Sequence, residues 1–305
     1  MTDSLLKYTE SLGEIRKAEK MPLSCISTFR TGGPADTVVF PRSRWEAVRC
    51  VRNAVQYGIR YIVIGNGSNV LFDDAGYRGA VICTSGLSEI SFSRDGIVTA
   101  ECGVPLTALS SRAAEAGLSG LEFAYGIPGF VGGAVFMNAG AYGGSISDVL
   151  SGSDYYDAES DTVVHIAAEE HGFGYRKSVY SENPGRLILG AEFILTRDDP
   201  DAVRGRCSAN MESRRTKQPL EFPSAGSVFK RPEGHFAGKL IEDSGLKGTS
   251  VGGAEVSRKH AGFIINRGGA TSSDVLELIS LIQEKVRRDT GIELECEVRY
   301  IGERE

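Results

Sequence analysis

The segment Gly126–Gly144, GIPGFVGGAVFMNAGAYGG, consists mostly of glycine, alanine and other small residues, interrupted by Pro128 and Asn138. A backbone so bare lets another group approach closely, and its amides can then point at an anion such as a pyrophosphate. Tight turns around a closely packed short helix would account for one such cluster equally well. Two further segments favour the ligand reading: Thr28-Phe29-Arg30-Thr31-Gly32-Gly33, and Gly65-Asn66-Gly67-Ser68-Asn69 directly after the apolar run Tyr61–Ile64. The latter imitates a Rossmann fingerprint, which needs a third glycine and a helix after the loop. Here Val70 follows Asn69, and Val70-Leu71-Phe72 reads as strand. A phosphate held by this loop would therefore sit on a different scaffold.

The elements that must position these loops are legible in outline. Thr37–Phe40 reads as a strand. Ser43 to Gly58 reads as a helix, with Ser43 as N-cap, Glu46 as capping-box partner, Gly58 as terminator and Trp45, Val48, Val51 and Val55 as its apolar stripe. Tyr61–Ile64 reads as a short buried strand and Gly79–Ile82 as a further strand. Ile97–Ala100 and Leu187–Leu189 are short β runs, and Leu106 to Ala116 is a helix stopped by Gly117. After the boundary at Pro200 come a basic helix from Ala202 to Thr216, the loop Pro223–Ser227 and a helix from His235 to Ser244. The helix capped by Thr271 and Asp274 buries Val275, Ile279, Ile282 and Val286 and ends at Gly291. The chain closes on a period-two strand, with Ile292, Leu294, Cys296, Val298 and Tyr300 inward and Glu293, Glu295, Glu297 and Arg299 outward.

Composition bounds the function. The 305 residues suggest two or three domains, and the 41% apolar content contains no long uncharged run, so no membrane span is expected. The opening MTDSLLKYTESLGEIRKAEK does not read as a secretion signal. Cysteines 25, 50, 83, 102, 207 and 296 are scattered without a CxxC pair, which argues against zinc or a disulfide framework and for buried thiols in a reducing cytosol. No metal site is expected. The formal charge of −6 argues against a general nucleic-acid binder, so a bound anion must be held by local amides and a few placed cations.

Six motifs stand in one order. Ser27–Ala35, Gly65–Asn69, Gly126–Gly129 with Gly132-Gly133-Ala134 and Asn138–Gly143, Tyr175-Arg176-Lys177-Ser178, Ala225-Gly226-Ser227-Val228-Phe229-Lys230 and Glu295-Cys296-Glu297-Val298-Arg299 together resemble the UDP-N-acetylenolpyruvoylglucosamine reductases, enzymes of the bacterial cell wall. The resemblance runs from Leu23 to Gly302. It implies an α+β fold with a two-part FAD-binding module of the vanillyl-alcohol-oxidase (PCMH) type and a C-terminal α+β substrate-binding domain. It divides the chain into residues 1–85 and 86–198, the two FAD-binding subdomains, and 199–305, the substrate domain, whose final strand and tail can return to the FAD module.

By the same resemblance the cofactor is non-covalent FAD. Its binding residues are Thr28, Arg30, Thr31, Gly32, Gly33, Ile64, Gly65, Asn66, Gly67, Ser68, Asn69, Gly126, Ile127, Pro128, Gly129, Gly132, Gly133, Asn138 and Ala139. NADPH is the reductant, UDP-N-acetylglucosamine enolpyruvate the substrate and UDP-N-acetylmuramate the product. The implied enzyme is a cytoplasmic monomer with no nucleic-acid or membrane partner.

The chemistry asks for two protein functions. Hydride delivered to the terminal methylene of an enolpyruvyl ether drives charge onto the carboxylate, and the adjacent carbon must then be protonated. The resemblance gives Arg176 to the carboxylate, Ser227 to the proton and Glu297 to the carboxylate together with Arg176. An ionised Glu297 would repel the growing dianion, so it is expected to act protonated. Lys217 and Lys230 are candidates to stabilise the serine alkoxide, and Lys217, Lys230 and Arg231 to contact the nucleotide or diphosphate. Without the resemblance, Arg176 reads as a surface ion-pair residue, Ser227 as a turn serine, Glu297 as a solvated glutamate and Lys217 as a helix end. His260 fits a family pattern and receives no chemistry. The connection between Ile194 and Met211 resembles the shorter branch of the family, which lacks a tyrosine-bearing insertion. Two other classes stay open: a flavin oxidase on the same scaffold, whose covalent attachment needs a His or Cys absent from Thr28–Gly33 and Gly126–Gly144, and a non-catalytic nucleotide-sugar binder.

Overall fold

The computed structural model describes residues 2–302. The chain divides into two compact units. One comprises residues up to Glu19, Asp36–Asn66 and Gly79–Ser213; the other comprises Lys20–Ala35, Gly67–Arg78 and Arg214 onward.

The first unit holds a four-stranded sheet in the order Arg16–Glu19, Ala35–Phe40, Tyr77–Cys83, Tyr61–Ile64, its first pair antiparallel and its last parallel. The helix Arg44–Gln56 begins where Ser43 Oγ accepts the Glu46 amide at 3.2 Å. The Glu46 carboxylate takes the Arg42 amide at 2.7 Å, so the reciprocal bond falls one residue before the expected one. The buried stripe also differs from expectation. Trp45 is 64% and Val55 51% exposed, while Ala47, Cys50, Val51 and Ala54 are buried. Small side chains line the buried face, and the Trp45 ring instead lies beneath the Arg49 guanidinium at 5.3 Å.

A five-stranded antiparallel sheet of the same unit runs Thr162–Ala167, Leu150–Asp157, Leu187–Ile194, Ile97–Glu101, Ile90–Phe92. One continuous apolar cluster spans the unit, from Leu5 to Leu195. Each aliphatic side chain in it contributes about 1.5–3 kcal/mol of burial free energy.

The second unit is organised by the helix Ser272–Thr290. Thr271 and Asp274 form a complete capping box, and Gly291 ends the helix at φ +74°. Val275, Leu278, Ile279, Ile282 and Val286 are buried as the periodicity requires. The Asp74 carboxylate accepts the Ser272 and Ser273 amides at 2.7 and 2.8 Å. Partial burial pushes this carboxyl up, but those donors at a helix N-terminus outweigh it and hold it below its ordinary value.

The closing segment departs from one continuous strand. Its alternation survives in burial, with Leu294 and Val298 inside and Glu293 and Glu295 outside. Regular pairing is confined to Arg299–Ile301, which lies parallel to Val70–Phe72, and to an isolated bridge between Phe229 and Cys296. Glu297, expected on the solvated face, is half-buried. Its amide donates to the Val228 carbonyl, and its carbonyl accepts from Asn69 Nδ2.

Candidate active site

In the second unit two of the bare loops brace each other. Gly67 has φ +60°, and a Cβ there would lie 2.2 Å from the Ile26 carbonyl oxygen. No other residue fits so close an approach. The Gly67 carbonyl accepts the Thr28 amide at 3.1 Å, and Thr28 Oγ1 donates to the Ser224 carbonyl at 2.7 Å. Gly33 passes so near Asp74 that a Cβ would sit 2.0 Å from its carbonyl oxygen. Arg30, between these anchors, adopts φ +58°. Thr31 is 2% exposed, and its hydroxyl has no partner among the described residues.

The same unit brings Ser227 and Glu297 onto neighbouring strands of backbone. Gly226, at φ +76°, turns the chain, after which Ser227 pairs with Phe263. Buried Val228 follows; its carbonyl takes the Glu297 amide at 2.7 Å and its amide donates to the Gly262 carbonyl at 2.9 Å. Asn69, at the end of the second bare loop, donates through Nδ2 to the Glu297 carbonyl at 3.1 Å, and its own carbonyl takes the Arg299 amide at 3.0 Å. Loop, proton-donor candidate and carboxyl candidate thus share one hydrogen-bonded frame. Lys230 stands three residues beyond Ser227, half-buried, its ammonium paired with Glu295. Arg231 is exposed, 4.5 Å over the Phe236 ring, and Lys217 is exposed at the end of the helix Pro200–Lys217. Neither is brought against Ser227 by a described hydrogen bond.

In the first unit the glycine run folds as a short helix, Val131–Phe136, and a two-residue hairpin, Gly140–Ala141 with Gly144–Ser145. It is strapped down by backbone: Leu106 to Gly129, Val131 to Val104 and Gly132 to Cys102, at 2.8–2.9 Å. Asn66 Nδ2 donates to the Pro128 carbonyl at 2.6 Å, joining the first part of the second bare loop to the run. A Cβ at Gly133 would meet nothing within 4 Å. Burial pushes the Cys102 thiol beneath the run up to about 12, which leaves it a packing group.

Arg176 sits at φ +55° in the tight turn Gly174–Lys177. Both ends of that turn are fixed. Asn138 donates through Nδ2 to the Gly174 carbonyl at 3.1 Å and accepts the Ser147 amide at 3.0 Å through Oδ1. Ser178 caps the next helical turn and donates to the Phe136 carbonyl at 2.5 Å. On the other side His171 is fully buried and stacked on Phe173 at 4.9 Å. Its Nδ1 meets the Ala167 carbonyl and its Nε2 meets Ser153 Oγ, which also bonds Tyr180 Oη at 2.6 Å. Asn138 was expected among the cofactor residues; its brace on the arginine turn spans 36 residues of chain and has no local sequence signal. The Ser178 cap, by contrast, is visible as a serine ahead of a short helical run.

Positive φ at non-glycine residues is uncommon and marks constrained sites. Among the described residues it occurs at Lys20, Arg30, Asn138, Tyr142, Asp161 and Arg176. Four of these lie in the segments singled out for chemistry. In the second unit the Thr31 hydroxyl is buried without a partner among the described residues, and in the first the space before Gly133 is open. No described cluster of His, Cys, Asp and Glu could hold a metal ion.

The match to an FAD binding domain over residues 35–166, on an α+β frame, makes the molecule a flavin-dinucleotide protein. Residues 218–301 match the C-terminal domain of UDP-N-acetylenolpyruvoylglucosamine reductase. The UDP-N-acetylenolpyruvoylglucosamine reductase of Clostridium novyi is 48% identical over 91% of this chain and 89% of its own length. That of Caldicellulosiruptor bescii is 49% identical over 92% and 90%. The crystal structure of the Thermus caldophilus reductase superposes with a TM-score of 0.80 at 35% identity, covering 94% of this chain and 98% of that one. The chain belongs to the UDP-N-acetylenolpyruvoylglucosamine reductase family.

Proposed function

We infer that this chain reduces the enolpyruvyl group of UDP-N-acetylglucosamine enolpyruvate to give UDP-N-acetylmuramate, a precursor of peptidoglycan, using NADPH and non-covalent FAD. The observation that carries this reading is kinship over nearly the whole chain with reductases of that name. The flavin, when bound and reduced by NADPH, supplies the hydride for the terminal methylene carbon. The rest falls to the protein. Thr28–Gly33, Ile64–Asn69 and the run from Gly126 to Ala139 hold the dinucleotide through main-chain amides, which is how a chain of net charge −6 can bind it. Arg176, its backbone fixed by Asn138 and Ser178, offers a guanidinium fork to the carboxylate as charge builds there. Ser227 gives its proton to the adjacent carbon, and Glu297 holds the carboxylate. The exposed Lys217 and Arg231 contact the diphosphate, and Lys230 supports the serine alkoxide.

The domain division that accompanies this reading is 1–85, 86–198 and 199–305. The pairing of Arg299–Ile301 with Val70–Phe72 supports the return of the final strand toward the first subdomain's sequence. We place the enzyme in the cytoplasm, where its nucleotide-sugar substrate and NADPH are made, as a monomer without nucleic-acid or membrane partners. Among the described residues, no helix is long and apolar enough to cross a membrane.

The test is anaerobic reduction of the yellow protein by NADPH, followed by the enolpyruvyl nucleotide sugar. Flavin absorbance should bleach and then return, with one UDP-N-acetylmuramate formed per flavin. Return of absorbance on admitting oxygen, with none on adding the nucleotide sugar, would favour an oxidase. A colourless protein that takes up no FAD would favour a binding module.

A further inference from the structure

The turn Ser257–Phe263 lies directly behind Ser227. Its Gly262 carbonyl accepts the Val228 amide at 2.9 Å, and Phe263 is the bridge partner of Ser227. The turn is shaped by one side chain. His260 Nδ1 accepts the Gly262 amide at 3.1 Å, while the His260 amide is received by the buried Ser257 hydroxyl at 3.3 Å. The ring stands edge-on to Phe263 at 5.0 Å, and a Cβ on Gly238 or Gly262 would come within 3.2 or 3.0 Å of it. The imidazole is thus wedged between the helix Ala237–Asp243 and the turn, with Nδ1 committed as an acceptor. The neutral ring accordingly carries its hydrogen on Nε2.

We propose that His260 is a positioning residue for the proton donor: its Nδ1 fixes the amide side of Gly262, whose carbonyl holds the Val228 amide and so the peptide that follows Ser227. The proposal rests on the reading of Ser227 as the donor. Val228 also takes the Glu297 amide on its carbonyl, so the same residue anchors both catalytic candidates of this unit. Protonation of His260 would put an N–H on Nδ1 facing the Gly262 N–H, turning acceptor against donor into two opposed donors. The charged groups facing the ring are Glu242 and Lys247, paired with each other at 2.7 Å. On its own turn Lys259 donates to the Arg215 carbonyl and Arg258 pairs with Glu255. Burial, aided by Lys247, holds the imidazole below its ordinary 6.5 against the opposing pull of its own carbonyl and Glu242, so the acceptor form prevails at neutral pH.

The two half-reactions of the holoenzyme separate this role from a general packing role. Reduction by NADPH does not use Ser227; reoxidation by the enolpyruvyl nucleotide sugar does. In stopped flow, His260→Leu should slow reoxidation on the order of tenfold or more, since small misplacements of a reacting group carry that cost, and leave reduction within about twofold. His260→Asn, whose Oδ1 reaches the place of Nδ1, should restore reoxidation to within about threefold of the parent. The parent should lose reoxidation rate in acid, below pH 6.5, and His260→Asn should not. Equal slowing of both half-reactions, an Asn variant as slow as Leu, or an acid limb that persists in His260→Asn would each overturn the proposal. If His260→Leu does not fold, the pH profile of His260→Asn decides alone. Ser227→Ala is the control: reoxidation at the parental rate there defeats the donor reading and this proposal with it. A slow Ser227→Ala beside an unaffected His260→Leu defeats the positioning role only.

Discussion

A carboxyl group helps a neighbouring carboxylate gain charge only while it keeps its own proton. That requirement makes Glu297 the sharpest case at the scale of single residues. It is half-buried, and its backbone is gripped on both sides, by Val228 through the amide and by Asn69 through the carbonyl. A glutamine can supply the same neutral hydrogen-bond donor. Hydride transfer in Glu297→Gln should therefore stay close to the parental rate, while Glu297→Ala loses on the order of a hundredfold, the usual magnitude for one lost charge-stabilising donor. Single-turnover reoxidation measures both, and a glutamine variant as slow as the alanine one would show that the ionised form is required. Sequence carried the family, and with it the candidate residues, because the order and spacing of six motifs are specific. It could not show their supports. The Asn138 bond to Gly174 and the Asn69 bond to Glu297 join residues 36 and 228 positions apart, with no periodicity to betray them.

Secondary elements show which sequence signals are local. The cap at Thr271, the terminator Gly291 and the stripe from Val275 to Val286 are properties of neighbouring residues, and each is found where the pattern puts it. In the stripe of Arg44–Gln56, Val51 is buried and Val48 packs on the core, but Trp45 and Val55 are exposed, because hydrophobicity alone ranks Trp45 above Ala47, whereas close packing favours the small side chain. The closing strand kept its alternation but not its pairing, since pairing depends on partners distant in sequence. The bare loops allow a test at this scale, because two glycines serve different ends. Gly67 is needed by the protein: a Cβ there meets the Ile26 carbonyl and the backbone is left-handed. Gly133 has open space before it within the protein, on a helical turn. Gly67→Ala should destabilise the fold by about 1–3 kcal/mol from the backbone conformation alone and lose flavin with it. Gly133→Leu should keep or slightly raise the stability of the flavin-free protein, since glycine is about 1 kcal/mol worse than leucine in a helix, yet bind flavin poorly. Thermal unfolding of the stripped proteins and flavin absorbance per chain distinguish the two; normal flavin content in Gly133→Leu would remove that residue from the cofactor site.

At the scale of the whole molecule, the response to acid follows from histidines that the fold keeps neutral. His171 is fully buried, and burial holds its imidazole below the ordinary 6.5, His165 adding to that effect while the Ala167 and Ala168 carbonyls and Glu170 oppose it. The sign follows from linkage. Above pH 6.5 neither the folded nor the unfolded chain protonates this ring, and it contributes nothing to pH dependence. As pH falls below that value the unfolded chain takes up a proton that the folded chain refuses, so stability declines until the depressed folded value is reached. Asp74, Glu122 and Asp154 titrate lower, because hydrogen-bond donors outweigh their burial, and they act only in stronger acid. The window between pH 7 and 5 therefore reports buried histidines. His171→Leu should melt several degrees lower at pH 7.5, because the buried Ser153 hydroxyl loses its imidazole partner and keeps only Tyr180. It should nevertheless lose less melting temperature between pH 7 and 5 than the parent does, since one of the refused protons is gone. The turn bearing Arg176 begins at Gly174, three residues after His171, so the same variant should reduce kcat at neutral pH more than it changes KM for NADPH. A scan of melting temperature against pH reads the first effect, and a decline between pH 7 and 5 as steep as the parent's would mean that His171 is not among the groups that charge on unfolding.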